Sequence, residues 1–382
     1  MRALCRVLSV LLVTAQFFSV TASALVPVPS GIGDEARSFI LMEAESGAVL
    51  CERNADLSLP PASVTKVMTM LLVMEAIDSG RISRDDEVTV SAYASGMGGS
   101  QVYLKEGERM SVHELLKCVV VSSANDACVA LAEYVSGSEE AFVARMNERA
   151  QELGMKHTVF ENTNGLDDDT VNHVTSARDI ALMSRELITK HAGILEYSSI
   201  WMDSIRGGEF GLTNTNRLIR FYSGANGLKT GSTSKAKFCI SASAKRDGMQ
   251  LICVIMGAPT RDSRNEIAKR LLDYGFGNYA YESFSGGEMT EIKVTGAMEN
   301  SIPLCYGDFG TVIEKQNKGR IEVKTELPES VSAPITKGQT VGRISYTLDG
   351  QTLATVDITA GVDAPRITYS QLLGRLIRLL LS

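Results

Sequence analysis

Ser63 and Lys66 stand three residues apart in "PPASVTKVMTMLLVMEAIDSG", residues 60–80. On a helix, side chains at i and i+3 share a face, with Cβ atoms ~5–6 Å apart. A serine hydroxyl needs a base beside it to become a nucleophile. A lysine amine is that base only when neutral, and bringing its pKa from about 10.4 to near 7 takes roughly 4 kcal/mol against the charged form. The segment supplies two forces in that direction. From Val67 to Ile77 the helix is apolar on nearly every side, so it reads as buried, and Gly80 ends it. Burial disfavours the ammonium, and so does the positive end of the helix dipole. A lysine in this first turn is a poor structural residue and a plausible base.

The spacing alone is not specific. S-x-x-K occurs twice more, at Ser232/Lys235 and Ser234/Lys237, but only Ser63/Lys66 opens a buried helix. Two other groups add to it. Ser123-Ala124-Asn125 lies where two helical stretches break, a place that can expose polar side chains to a cleft. Lys229-Thr230-Gly231, in "NGLKTGSTS", lies on a strand candidate. Each has a plainer explanation taken singly: a helix cap for Ser123 and Asn125, a solvated strand residue for Lys229. Another S-x-N, Ser263/Asn265, lacks such a setting.

The elements that must position these residues are legible as pattern. Residues 37–55 read as a hairpin turning at Glu45-Ser46-Gly47. "SVHELLKCVVV" opens with a capping box, Ser111 and Glu114. The helix breaks at "SSAND", residues 122–126, and resumes in "ACVALAEYV". Residues 139–153 and 176–190 read as two more helices, the second capped by Ser176 with Asp179. A strand around "GLKTGST" leads to a hairpin, "KFCISASA" and "MQLICVIMG" flanking the turn "KRDG". Strands, then helices, then strands predict an α+β catalytic domain with a helical insertion.

Near residue 283 the pattern changes. Ile321, Val323, Thr325 and Leu327 alternate with charged residues, and a second alternating run ends at Asp349-Gly350, a type I′ turn signal. This predicts a small all-β domain. The end, "ITYSQLLGRLIRLLLS", places Gln371, Arg375, Arg378 and Ser382 on one helical face and leucines on the rest. It is shorter than the ~20 residues that cross a bilayer. It suits a membrane interface, where Arg366, Arg375 and Arg378 would meet anionic lipid. The alternative is a helix docked on the chain's own β domain.

With 382 residues the chain has room for two domains, and a net charge of -7 argues against a nucleic-acid partner. "MRALCRVLSVLLVTAQFFSVTASA" has the arginines, apolar core and Ala22-Ser23-Ala24 of a secretory leader cleaved after Ala24. Seven cysteines, Cys5 within that leader, are sparse for a large secreted chain, so buried free thiols are favoured over disulfides. There is no C-x-x-C and the four histidines are scattered, which gives a zinc site little support.

Taken in order, the three groups resemble the motif triple of the penicillin-binding and serine β-lactamase superfamily. "PPASVTKVMT", "SSANDACVALAE", "TSARDIALM" and "GLKTGSTSKAKFC" look most like the low-molecular-mass penicillin-binding proteins, the D-alanyl-D-alanine carboxypeptidases. The resemblance spans nearly the whole chain. It implies a leader at 1–24, a penicillin-binding protein/β-lactamase-like catalytic domain at 25–282 with an antiparallel sheet flanked by helices, a β-sandwich-like domain at 283–364, and an amphipathic membrane-association helix at 365–382. It implies Ser63 as nucleophile, Lys66 as base and Ser123 as a proton relay to the leaving amine. Asn125 would contact the substrate's amide. Lys229, Thr230 and Gly231 would hold its carboxylate, with Arg264 of "MGAPTRDSRNE". The backbone N–H groups of Ser63 and Ser232 would form an oxyanion hole. The substrate would be a peptidoglycan stem peptide ending in D-Ala-D-Ala, with β-lactams as inhibitors, no metal or cofactor, and a location on the outer face of the cytoplasmic membrane.

The chain departs from the family pattern at Ala124, where glycine is common, and at Ser232, where histidine or tyrosine is. Cys128, one turn past Asn125, suggests thiol sensitivity, against the plainer reading of a core cysteine. Two rival functions remain open from sequence: a β-lactamase of the same fold, and a catalytically silent wall-binding module. The second should have lost Ser63, Lys66 or Lys229, and the chain keeps all three.

Overall fold

A computed structural model describes residues 30–168 and 170–381. The leader expected at 1–24 lies outside the described residues. The chain divides into two compact units. The first holds the described residues up to Glu282 together with Gly310–Gln316; the second holds Ser283–Phe309 and the chain from Asn317.

The first unit is built on an antiparallel sheet of five strands, β1 (Ser38–Glu43), β2 (Val49–Arg53), β3 (Ala225–Thr233), β4 (Lys237–Arg246) and β5 (Met249–Ala258), in the order β2-β1-β5-β4-β3. Leu41 pairs with Cys51 on one side and Cys253 on the other. Alternate residues of β1 serve different cores: Ile40 and Met42 join the larger cluster, Phe39 and Leu41 the smaller. That is the period of two expected of a strand covered on both faces.

The larger cluster takes in α1 (Lys66–Asp78), α2 (Asn125–Ser136), α3 (Glu139–Glu152) and α4 (Ala177–Lys190); α5 (Arg261–Asn278) contributes to the smaller one. In α1, ten of thirteen residues are buried, as its apolar sequence requires. Each predicted capping box forms its serine bond: the Ser111 hydroxyl accepts from Glu114 N–H at 3.2 Å and Ser176 from Asp179 N–H at 3.1 Å. This is the α+β architecture read from the order of the elements.

The second unit is all β apart from its ends. Six strands hydrogen-bond into one sheet around a core that includes Ile302, Leu304, Ile344, Tyr346 and Ile358. Asp349 and Gly350 both have positive φ, 50° and 80°, as a type I′ turn demands. The strand Glu322–Glu326 forms, but it lies at the sheet edge and is exposed throughout, Val323 included. Alternation there marks a strand without a buried face. The chain ends in α6 (Tyr369–Leu381). None of the six cysteines among the described residues is paired.

Candidate active site

The nucleophile turn begins at Pro61. A single 3₁₀ turn, Ala62–Thr65, runs into α1 at Lys66. Ala62 has φ +50°, a conformation that costs a non-glycine residue and persists where neighbours over-determine it. Those neighbours are present. Thr65 Oγ1 lies 2.8 Å from Ala62 O and 2.8 Å from His173 Nε2, and Glu161 N–H donates to His173 Nδ1 at 3.0 Å. An accepting Nδ1 places the ring proton on Nε2, so His173 donates to Thr65 and Thr65 donates to Ala62 O. Burial pushes the imidazole down to about 4, which keeps it neutral. Gly165 fits against the same turn: a Cβ there would collide with the Ala62 carbonyl.

Lys66 is fully buried. Its Nζ lies 3.0 Å from Ser63 Oγ, 2.6 Å from Asn125 Oδ1 and 2.8 Å from Asn164 O. Burial lowers the amine to about 8, against the opposing pull of Cys128 and Asp126. A neutral amine has two protons and one lone pair. The two carbonyl oxygens, which can only accept, take both protons and leave the lone pair for the Ser63 hydroxyl. This is the arrangement a general base requires.

The second motif sits at a break with a defined form. After α-helical Val112–Lys117 the chain makes a π turn, Cys118–Ser122, and Ser123 adopts φ +64°, ψ +26° before α2 starts at Asn125. Such bulges and strained residues concentrate at functional sites. Asn125 is held on three sides: its N–H donates to Ser100 O at 2.7 Å, its Nδ2 to Gly98 O at 2.7 Å, and its Oδ1 accepts from Lys66. Asp126, also buried, accepts from Val102 and Leu104 N–H and so fixes the loop that holds Asn125.

The third motif lies on β3. Gly231 is required by close approach: a Cβ there would lie 2.8 Å from Ser63 N and 2.8 Å from Pro61 O. β3 therefore runs directly against the nucleophile turn. Lys229 is fully buried, so it is no solvated strand residue. Its Nζ donates to Thr230 O at 2.8 Å, and burial, with repulsion from Lys66 and Arg264, holds its pKa well below the usual lysine range. Thr230 Oγ1 is 2.8 Å from Thr215 Oγ1. Ser232 is exposed. Arg264, on α5, is 2 % exposed; its guanidinium bonds Asn265 Oδ1 at 2.8 and 3.1 Å and Cys239 O at 3.4 Å, and Cys239 pairs with Gly231 across the sheet. Burial lowers Arg264 to about 10. Lys66, Lys229 and Arg264 have no ion-pair partner among the described residues. Arg264 stays charged, and an anion arriving beside Lys229 and Arg264 would favour the protonated form of Lys229 as well.

The chain resembles known proteins along its whole length. Residues 27–260 match the family profile of D-alanyl-D-alanine carboxypeptidase, and residues 283–366 that of the penicillin-binding protein 5 C-terminal domain. It is 39% identical over 381 residues to D-alanyl-D-alanine carboxypeptidase DacF of Bacillus subtilis, covering 97% of each chain. The chain belongs to the D-alanyl-D-alanine carboxypeptidase family. Among solved structures of similar proteins, penicillin-binding protein 5 of Haemophilus influenzae superposes with a TM-score of 0.77 at 33% identity, over 89% of this chain and 100% of that one. The ampicillin-bound penicillin-binding protein D2 of Listeria monocytogenes gives 0.58 at 32% identity, over 63% of this chain and 98% of that one.

Residues outside the three motifs also pack into this candidate site. Asn164, His173 and Thr215 were not singled out from sequence. The signals available were "NTNG" at 162–165 and "NTN" at 214–216, loop sequences with no periodicity to read. Cys128 is fully buried and its thiol donates to Thr163 O at 3.2 Å. Burial also pushes that thiol's pKa up, so the thiol sensitivity expected of it has no route. Among the described residues, no cluster of three or more His, Cys, Asp or Glu could hold a metal ion.

Proposed function

We propose that this protein is a serine-type D-Ala-D-Ala carboxypeptidase, which removes the terminal D-alanine from peptidoglycan stem pentapeptides through an acyl-enzyme on Ser63. The observation that carries the reading is the Lys66 amine, buried, held near 8 and 3.0 Å from Ser63 Oγ. Neutral Lys66 takes the Ser63 proton as Oγ attacks the carbonyl between the two D-alanines. The Ser63 and Ser232 N–H groups receive the developing oxyanion, a role supported by the close approach at Gly231. Ser123 gives its proton to the departing amine and is reprotonated with the one Lys66 took, the C–N bond breaks, and D-alanine leaves. Water then hydrolyses the ester and restores the serine proton. Asn125 keeps one amide proton and one lone pair beyond its protein contacts, enough to align the substrate's peptide group. Lys229 and Thr230 hold the terminal carboxylate, and Arg264 adds positive charge from its buried position. β-Lactams acylate the same serine.

The same proposal places the enzyme on the outer face of the cytoplasmic membrane. The leader sequence supports export. In α6, Leu372, Leu373, Leu376 and Leu380 are 42–84% exposed, while Arg375 on the opposite face bonds Met298 O and Asn300 Oδ1. That leaves the leucine face free for a membrane interface. No helix among the described residues is long and apolar enough to cross a membrane.

Residues 25–382 incubated with benzylpenicillin test the function by intact mass, drug consumption and D-alanine release from a pentapeptide. A lasting adduct on Ser63, absent in Ser63→Ala, together with D-alanine release is the expected result. Drug consumed without a lasting adduct would indicate a β-lactamase. A folded protein that does neither would be a binding module.

A further inference from the structure

We infer that Thr215, which lies outside all three motifs, is a positioning residue for the substrate's terminal carboxylate and acts through Thr230. The inference rests on the carboxypeptidase reading above.

In the structure Thr230 Oγ1 donates to Thr215 Oγ1 at 2.8 Å. A hydroxyl has one proton to give and two lone pairs to receive. When Thr230 donates to Thr215, it has nothing left for an anion. When Thr215 donates to Thr230, the Thr230 proton is free. Rotation of both hydroxyls interconverts the two states. A carboxylate is acceptor-only and therefore selects the second: Thr215 donates to Thr230, and Thr230 donates to the carboxylate. Each bond in such a chain strengthens the next. Thr215 is thus the group that lets Thr230 act as a donor while its own oxygen stays satisfied.

The frame around Thr215 is built to present it. Asn214 and Asn216 flank it, 3 % and 1 % exposed. The Asn214 side chain donates to Ile200 O at 2.7 Å and accepts from Asn216 N–H at 2.8 Å; the Asn216 side chain donates to Gly227 O at 2.9 Å and accepts from Leu218 N–H at 3.1 Å. Both asparagine side chains thus serve the backbone, and the threonine between them, half-buried, turns its hydroxyl to the third motif. Its own N–H donates to Val121 O at 3.1 Å, inside the π turn that precedes Ser123. Thr215 therefore fixes Thr230 relative to the second motif as well.

The test compares wild type with Thr215→Val, which keeps the shape and removes the donor, and Thr215→Ser, which restores it. Each is assayed on a peptide ending in D-Ala-D-Ala, on the same peptide with its C-terminus amidated, and for acylation by benzylpenicillin. Thermal melts check the fold of each variant. In Thr215→Val, KM for the free acid should rise about fivefold, the worth of one hydrogen bond, with kcat within about twofold. The acid-over-amide preference should fall by the same factor, and Thr215→Ser should match wild type. Equal losses on acid and amide, or an unchanged KM, would overturn the inference. Failure of the carboxypeptidase reading appears instead in the wild type, as no peptide cleavage. In that case slower sub-saturating acylation of Thr215→Val by the carboxylate-bearing drug supports the inference and unchanged acylation overturns it. A wild type that is neither active nor acylated overturns both.

Discussion

Once Lys66 is neutral, two of its three hydrogen bonds fix its protons and the third aims its lone pair. The charge state of this one group should govern the rate. With the amine at about 8, the base is mostly protonated at pH 6 and mostly free at pH 9. Acylation by benzylpenicillin should therefore rise with pH through about 8, following the neutral fraction. A rate flat from pH 6 to 9 would remove Lys66 as the base. Lys66→Arg keeps the positive charge but has no accessible neutral form, so acylation should fall by about 10²–10⁴-fold, measured by intact mass against time. The identity of Lys66 was legible because its burial is written in the apolar run that follows it. Asn164, which takes one of its protons, lies 98 residues away in a loop, and no local pattern announces such a contact.

At the scale of elements, the site depends on two glycines and one histidine that bring a turn, a loop and a strand to contact distance. Gly231→Ala would push β3 off the nucleophile turn and displace an oxyanion-hole donor. Acylation should drop by about 10²–10³-fold, more than any change in melting temperature would explain. His173 carries a stability prediction. Its native pKa of about 4 lies below its ordinary 6.5, so the unfolded chain binds more protons between those values. Stability should decline as pH falls from about 6.5 to about 4, by on the order of 3 kcal/mol, and level off below. Denaturant melts across that range test it, and His173→Gln should flatten the slope. The hairpins and capped helices were legible from periodicity and turn residues. The exposed edge strand Glu322–Glu326 was not, because alternation reports only that one face differs from the other. The π turn was visible as a break between helices, but the partner of its Val121 carbonyl, Thr215 N–H, is remote in sequence.

At the scale of the whole molecule, the motifs and the order of the elements made the family recognisable from sequence, since the three motifs fall on the elements that bring them together. The terminal helix carries its own prediction. Removal of residues 369–382 should abolish co-sedimentation with vesicles containing anionic lipid and leave penicillin acylation unchanged. Retained sedimentation would place the membrane contact elsewhere. Replacing Leu372, Leu376 and Leu380 with serine should act alike if the apolar face is what binds.

The path of the chain has a practical result for protease digestion. The backbone leaves the first unit at Glu282, returns to it for Gly310–Gln316 and leaves again. The strand Tyr279–Phe284 pairs with Phe309–Glu314, so the first unit is completed by residues that come after a stretch of the second. One cut near residue 283 therefore does not yield two independent pieces. The fragments should run together on a sizing column and separate only on a denaturing gel.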